Sequence, residues 1–95
     1  MTAMKRQQPV VRQEVRIVNE LGLHARPAAE FVRVANIFRS KIWLVKGQQK
    51  FSATSIVEVL TADLCHGDIA VLEAMGPDSA DAVAQLVELI RKLSD

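Results

Sequence analysis

The sequence has 95 residues, enough for one domain with a modest core and too few for two. It is 49% hydrophobic and 24% charged, which is typical of a globular fold rather than of a disordered chain. Twelve basic and eleven acidic residues give a formal net charge of +1, so charge does not favour nucleic acid binding. The single Trp and three Phe do not alternate with basic residues as a base-stacking surface would.

Cysteine content and hydropathy indicate the cellular compartment. The one cysteine, Cys65, cannot form a disulfide within the chain, which is typical of a reducing environment. No apolar run approaches the roughly 20 residues that a membrane-spanning helix needs. The first nine residues lack the apolar core of a secretory signal. We therefore expect a cytoplasmic protein that does not bind membranes.

The first regular element is a strand. Residues 1–12 are polar, basic and interrupted by proline, so we predict a flexible extension there and one folded domain over residues 13–95. Residues 14–18 alternate as a half-buried strand does, with Val15 and Ile17 on one face.

A helix and a hairpin follow. From Ala25 to about Phe38, apolar residues recur at spacings of three and four, which predicts an amphipathic helix. Pro27 is tolerated near its start because a first-turn residue has no intrahelical N–H bond to lose. Residues 42–45 are β-branched and aromatic enough for a second strand, and residues 49–52 predict its short return strand.

The next segment predicts a short helix and another strand. Ser55 with Glu58 three residues later is a capping box, so a helix begins at Ser55 and runs to about Thr61 or Leu64. Residues 68–75 alternate as a strand with two distinct faces.

The last predicted element is a helix. Gly76 and Pro77 end the preceding strand, and Asp78 is suited to cap the helix that follows. Its apolar stripe consists of Val83, Leu86, Val87, Ile90 and Leu93. The order β-α-β-β-α-β-α predicts an α+β fold, with helices covering one face of a small antiparallel sheet.

The segment Gly22–Ala28 is the most informative of the chain. It places His24 between the first strand and the first helix, with Arg26 two residues on. A helix N-terminus leaves backbone N–H groups unpaired and carries a partial positive charge, so it suits anions, phosphate above all. Neutral imidazole is a good nucleophile near pH 7 and forms a labile phosphoramidate bond. The pattern therefore indicates a histidine that accepts a phosphoryl group.

This segment and the element order together resemble the histidine-containing phosphocarrier protein (HPr) family of bacterial phosphotransferase systems. The segment Gly22–Ala28 is similar to the family's active-site segment, and residues 52–56 resemble the one that leads into its second helix. Gly67, Gly76 and the last helix follow at the family's spacing. The resemblance implies an open-faced β-sandwich, with a four-stranded antiparallel sheet and three helices on one face.

The resemblance also implies a role and its residues. Such a protein accepts a phosphoryl group from enzyme I, which takes it from phosphoenolpyruvate, and passes it to an enzyme II A-type protein of sugar transport or regulation. By this resemblance His24 is the phospho-acceptor, through Nδ1, and Arg26 stabilises the phosphate together with the backbone N–H groups of Ala25 and Arg26. The family members are stoichiometric carriers rather than enzymes, and the resemblance implies no cofactor and no metal.

Ser55 has two interpretations. By the resemblance it matches a serine that an ATP-dependent HPr kinase/phosphorylase modifies in some bacteria. A serine at a helix N-cap is also explained by stability alone, worth about 1 kcal/mol. The two interpretations are compatible, because phosphoserine is well placed at a helix N-terminus.

Partner docking is predicted to use apolar residues around the site. These are Leu23, Ile56, Val57 and Leu60; for Ile56 and Leu60, burial in the core is the competing interpretation. Glu58 stands where family members more often carry a basic or small residue, and Asp63 where many have glycine. Both add negative charge near a surface that meets acidic partners. The sequence therefore leaves open a sugar-transport or a nitrogen-related phosphocarrier.

Four apolar residues are expected on the uncovered face of the sheet: Trp43, Val45, Ile69 and Val71. An open face is usually polar, so these residues suggest a homodimer through that face or a cover formed by the N-terminal extension. Scattered exposed hydrophobic residues are the simpler interpretation.

Other functional classes have less support. Cys65 and His66 are adjacent and lack partners at zinc spacing, so a turn histidine beside a buried cysteine is the simpler interpretation. No motif arranges serine, histidine and acid as a hydrolase triad. The rival function is an HPr-like regulatory binding module controlled at Ser55, with little or no phosphoryl transfer. An RNA- or ligand-binding α+β domain is disfavoured by the near-neutral charge and the missing aromatic surface.

Overall fold

A four-stranded antiparallel sheet and three helices make up the computed structural model, which describes residues 9–95. The strand order across the sheet is β1-β4-β2-β3, so β1 and β3 are its edges. The elements, in chain order, are β1 (Val10–Arg16), α1 (Ala25–Ala35), β2 (Lys41–Lys46), β3 (Gln49–Ser52), α2 (Ile56–Thr61), β4 (Ile69–Met75) and α3 (Ser79–Arg91). The predicted element order and fold class are confirmed.

The core lies between one face of the sheet and the helices. Alternate residues of the two central strands face the helices and are buried, and so are the apolar faces of all three helices, as period-two and period-3.6 patterns require. The largest fully buried side chains include Phe31 of α1, Leu44 of β2, Val59 of α2, Leu72 of β4 and Leu86 of α3.

The first strand begins earlier than the sequence pattern indicates. Val10 pairs with Met75 and Arg12 with Glu73, so residues 10–12 belong to the sheet. The prediction of a flexible extension over 1–12 is therefore wrong for those three residues. The pairing partner is distant in sequence, and an edge strand with one exposed face carries polar residues that resemble a tail. Residues 1–8 lie outside the described residues, and their part of the extension stays a prediction.

The first helix ends earlier than predicted, at Ala35 rather than near Phe38. Asn36 is its C-cap, and the Asn36 side-chain amide donates to the carbonyl of Val32 at 2.8 Å and to that of Thr54 at 3.3 Å. An asparagine that bonds local carbonyls competes with helix continuation. Phe38 packs against the core from the loop instead.

Asp78 occupies the N-cap of α3 as predicted, but its side chain does not cap that helix. Its carboxylate accepts hydrogen bonds from the backbone N–H groups of Arg39 and Ser40, both at 2.9 Å, and from the Ser40 hydroxyl at 2.6 Å. The N–H of Arg39 holds the pKa of Asp78 below its ordinary value, and the Ser40 hydroxyl adds to this effect. Asp78 therefore ties the loop before β2 to the start of α3.

The turn between β1 and α1 depends on Gly22. Its φ is +70°, a left-handed conformation that glycine adopts at no steric cost. A Cβ at this position would overlap the carbonyl oxygen of Leu64 and lie 3.0 Å from the Cα of Cys65. The next residue, Leu23, donates its N–H to the same Leu64 carbonyl at 2.8 Å. The turn is thus pressed against the segment that follows α2.

Replacing Gly22→Ala should therefore destabilise the fold by about 2–4 kcal/mol, since it adds an overlap with backbone to a left-handed residue. Gly47→Ala is the matched control: its φ is +61°, but no atom lies within 4 Å of the added Cβ. The control should cost only about 1 kcal/mol. Urea unfolding measures both values, and equal losses would show that the contact with Leu64 is unimportant.

Candidate functional site

His24 is the N-cap residue of α1, with φ −79° and ψ −171°. Its carbonyl accepts the first helical hydrogen bond, from the N–H of Ala28 at 2.9 Å. Its side chain makes no capping hydrogen bond, and 38% of that side chain is exposed. The ring is therefore held at the helix start by its backbone while remaining accessible to a partner.

The first turn of α1 offers free backbone donors beside His24. Within residues 9–95, the N–H groups of Ala25 and Arg26 donate to no protein acceptor, and Pro27 has no N–H. No acidic side chain occupies this first turn. No side chain of the first turn thus compensates the positive end of the helix dipole at the place where a phosphoryl group on His24 would need donors.

Arg26 is exposed, and within residues 9–95 it forms no ion pair. The residues that follow, Pro27 and Ala28, are buried and anchor the start of the helix in the core. The guanidinium is therefore available to an anion, for which its planar donors are suited.

The side-chain carboxylate of Asp95, a residue after α3, lies close to the His24 ring. The Oδ1 atom of Asp95 lies 3.8 Å from Nε2 of His24. The same carboxylate accepts from the side chain of Asn19 at 2.8 Å and from the N–H of Leu21 at 3.0 Å. Sequence reasoning missed Asp95, because no pattern relates a residue after α3 to the turn before α1.

Ser55 is the N-cap of α2, and its hydroxyl accepts from the N–H of Glu58 at 3.3 Å. The other hydrogen bond of the predicted capping box, from the N–H of Ser55 to the Glu58 side chain, is not formed. The Glu58 carboxylate instead accepts from the N–H of Ser52 at 2.8 Å, because Ser52 precedes a tight turn that brings its N–H within reach. Ser55 is half-buried, with a carboxylate anchored next to it.

The predicted docking residues divide into exposed and buried ones. Ile56, Val57 and Leu60 of α2 are exposed, at 37%, 69% and 41%. Leu23 is only 4% exposed, so its assignment to a docking surface is wrong: the turn at Gly22 directs its side chain into the core. The exposed apolar residue of that turn is Leu21, at 65%.

Asp63 has a φ of +50°, the left-handed conformation that favours glycine. This conformation accounts for the glycine that the resemblance implies at this position. The Asp63 carbonyl accepts from the Lys46 ammonium at 2.8 Å, which links the end of α2 to β2.

The open face of the sheet is less apolar than the sequence predicts. Of the four predicted residues, only Ile69 is well exposed, at 46%, while Trp43, Val45 and Val71 are half-buried. Glu73 lies on the same face and is 7% exposed, with Arg12 and Lys50 within 3.4 and 3.5 Å of its Oε2. The Lys50 ammonium stands 4.6 Å from the centre of the Trp43 ring, a cation–π distance. Sequence alternation did not indicate this charged cluster.

Three other features bear on function. Cys65, expected to be buried, is exposed, as is His66, because both lie in the turn before β4. Over residues 9–95 no three His, Cys, Asp or Glu side chains are grouped as a metal site would require. In the same part of the chain, no helix has the length and hydropathy of a membrane span.

The family model "PTS HPr component phosphorylation site" matches residues 11–92. The chain belongs to the PTS-HPr family. Phosphocarrier protein HPr of Haemophilus influenzae is 41% identical over 80 residues, which cover 84% of this chain and 94% of that protein. HPr-like protein Crh of Bacillus subtilis is 35% identical over 83 residues, which cover 87% and 98%.

Solved structures of the HPr family show the same fold. HPr-C-His from Thermoanaerobacter tengcongensis has a TM-score of 0.83 and 40% identity, over 85% of this chain and 91% of that one. An HPr dimer from the same organism has a TM-score of 0.69 and 42% identity, over 81% and 88%. Membership of the HPr family, predicted from the sequence, is thereby confirmed, and so is the predicted open-faced β-sandwich.

Proposed function

We propose that this chain is a phosphocarrier of a phosphoenolpyruvate-dependent phosphotransferase system. His24 takes a phosphoryl group from phospho-enzyme I and passes it to an enzyme II A-type acceptor in the cytoplasm. The protein acts as a stoichiometric carrier rather than as a free-standing enzyme. The observation that supports this most directly is the position of His24, whose accessible ring stands at a helix start with uncompensated N–H groups.

The transfer needs an unprotonated ring nitrogen. The Nδ1 lone pair of His24 attacks the phosphorus carried by enzyme I, a P–N bond forms, and the bond from phosphorus to the donor breaks with its electrons returning to enzyme I. The second transfer repeats the step with the acceptor's nucleophile attacking and His24 leaving. Because positioning and charge stabilisation supply most of the catalysis of phosphoryl transfer, a small site suffices once the donor adds its own groups.

Arg26 and the two free N–H groups have complementary roles in this scheme. The N–H groups of Ala25 and Arg26 belong to rigid backbone, so they stabilise a phosphoryl dianion without reorganising. The Arg26 guanidinium is exposed, so it can pair with the phosphoryl oxygens as the group arrives and leaves. The three exposed apolar residues of α2, Ile56, Val57 and Leu60, form a neighbouring surface that we assign to docking of enzyme I.

Incubation with phosphoenolpyruvate and a cognate enzyme I should add one acid-labile phosphate, seen by mass spectrometry. His24→Ala should abolish the addition, because it removes the nucleophile. Arg26→Ala should slow it by about ten-fold or more, through the loss of charge stabilisation. Arg33→Ala is the matched control: Arg33 lies on the same helix but pairs with Glu30, and its loss should leave the rate unchanged. A phosphate that survives in His24→Ala would contradict the proposal.

The second candidate function is regulation through Ser55. It is favoured by the likeness to Crh of Bacillus subtilis, described as a catabolite repression HPr, with 35% identity and a TM-score of 0.67. A phosphate on Ser55 would add charge at the start of α2, where a helix N-terminus accepts it. The Glu58 carboxylate, fixed on the N–H of Ser52, would oppose that charge. This chain's own residues therefore make Ser55 a poorer phosphorylation site than the N-cap position alone suggests.

An ATP-dependent HPr kinase/phosphorylase should therefore phosphorylate the wild-type chain slowly, and Glu58→Gln by about three-fold or more faster, since one like charge is removed. Ser55→Ala is the control that should carry no acid-stable phosphate. Phosphorylation on Ser55 with no transfer to His24 would support the regulatory module over the carrier. Equal rates in wild type and Glu58→Gln would show that Glu58 does not oppose the modification.

We also propose that the open sheet face mediates self-association. A related HPr has been solved as a dimer. Ile69 is exposed at the start of β4, and the half-buried Val71, Val45 and Trp43 lie on the same face. Charged side chains on the same face, Arg12 and Glu14 among them, give a second copy opposite charges to pair with.

Sedimentation analysis should show a dimer at high protein concentration for the wild-type chain and a monomer for Ile69→Lys, because a lysine there would be buried against a second copy. Ile37→Lys is the control: Ile37 is 65% exposed and lies after α1, away from the sheet face. A wild-type chain that stays monomeric throughout would remove this proposal.

A further inference from the structure

The ammonium group of Lys46, at the end of β2, is surrounded by three oxygen atoms. It donates to the carbonyl of Ala62 at 3.1 Å and to that of Asp63 at 2.8 Å, and its Nζ lies 3.4 Å from Oδ2 of Asp68. An ammonium has three N–H donors, so these three acceptors use all of them. One side chain of the hairpin thus holds both ends of segment 62–68, which connects α2 to β4.

The C-terminal end of α2 is capped from outside the helix. The helix has only 6 residues, and its last turn contains no basic side chain. A helix that short is marginal by itself, and the unpaired carbonyls of its last turn carry a partial negative charge. At the other end, the Ser55 hydroxyl accepts from the helix and the Glu58 carboxylate binds the N–H of Ser52. The start of α2 is therefore held by its own residues, whereas its end is held by Lys46 of β2.

The Asp68 carboxylate extends this contact to the residue after Leu64. Its Oδ2, which faces Lys46, also accepts from the N–H of Cys65 at 2.8 Å. The Cys65 N–H, with further help from Lys46, holds the pKa of Asp68 below its ordinary value, so this carboxylate is ionised at neutral pH. The two neighbours of Leu64 are therefore both fixed through one ammonium group, Asp63 directly and the other through the carboxylate.

Leu64 is the point at which this segment meets the proposed phosphoryl site. Its carbonyl accepts from the N–H of Leu23 at 2.8 Å, and a Cβ on Gly22 would overlap the same oxygen. Leu23 immediately precedes His24, which begins α1 as its N-cap. The position of the histidine relative to α2 is thus set by where the Leu64 carbonyl lies.

We propose that Lys46 is a positioning residue for phosphoryl transfer, which fixes segment 62–68 so that the Leu64 carbonyl aligns the turn before His24 with the docking surface of α2. This role rests on the proposed phosphocarrier function. When a partner docks on α2, the ring nitrogen of His24 must already stand in line with the phosphorus. A misplacement of about 1 Å at such a site can lower the rate by roughly a hundred-fold.

Two substitutions of Lys46 and one control test this role. Lys46→Met keeps an unbranched side chain and removes the charge with its three donors. Lys46→Arg keeps a cation with several N–H donors, so it should restore most of the contact. Lys50→Met is the matched control, because Lys50 lies on the neighbouring strand and pairs with Glu73 rather than with segment 62–68. It therefore removes one ion-paired lysine without touching the Leu64 carbonyl.

The first measurement is amide hydrogen exchange of the Leu23 N–H, which reports its bond to Leu64. The protection of this amide relative to the core amides of β4 should fall by about ten-fold or more in Lys46→Met, because segment 62–68 then opens locally. In Lys50→Met the ratio should stay within about two-fold of the wild type. Comparison with the core amides separates local opening from any loss of global stability.

The second measurement is transfer from phospho-enzyme I, with this chain as the acceptor. In Lys46→Met, kcat should fall about three- to ten-fold while KM stays within about two-fold, because the start of α2 keeps its own anchors. Lys46→Arg should recover kcat to within about two-fold of the wild type, and Lys50→Met should match the wild type. A merely structural role would leave kcat per folded molecule unchanged.

The outcomes distinguish this role from the carrier function. A competent carrier in which Lys46→Met leaves the Leu23 protection ratio or kcat unchanged would overturn the role of Lys46 alone. A wild-type chain that accepts no phosphoryl group would overturn the phosphocarrier function and, with it, the transfer role. Loss of Leu23 protection together with a lower kcat, both recovered in Lys46→Arg, supports the inference.

Discussion

The close approach of two backbones at Gly22 is the constraint on which the site depends. The chain must leave the edge strand, turn, and start a helix within a few residues, and the turn is pressed against the carbonyl of Leu64. Only a residue without Cβ permits this contact at a positive φ. The following residue, Leu23, is thereby directed into the core, and His24 is left at the surface. The position of the histidine is thus a consequence of packing between the β1–α1 turn and the segment after α2.

His24 occupies a place that usually serves helix stability. An N-cap is normally Ser, Thr, Asp or Asn, whose side chain satisfies a first-turn N–H group. Ser55 does this for α2, but His24 does not do it for α1. The resulting free donors weaken the helix start by about 1 kcal/mol, and they are the groups that we propose stabilise a phosphoryl group on His24. Buried Pro27 and Ala28 offset this loss by anchoring the first turn in the core.

The two faces of the sheet are organised differently. Toward the helices, alternate residues such as Leu44 and Leu72 are fully buried, and hydrophobic burial explains them. Toward the other side, Glu73 is nearly buried between Arg12 and Lys50, so cations neutralise a carboxylate that neighbouring side chains shield from water. These residues lie on three different strands, so the cluster exists only once the sheet has formed.

The amino-acid sequence by itself determined the element order and the fold class, and it singled out His24, Arg26 and Ser55 as candidate site residues, because periodicity, capping residues and the Gly22–Ala28 motif are local signals. It misplaced the start of β1 and the end of α1, since strand pairing at Val10 and the side-chain bonds of Asn36 depend on partners that local patterns do not show. Tertiary structure alone decided that Leu23 is buried, that the Glu58 carboxylate accepts from the N–H of Ser52 rather than from that of Ser55, and that Asp95 faces His24. Such contacts join residues that only the packed fold brings together, and a periodic pattern carries no information about them.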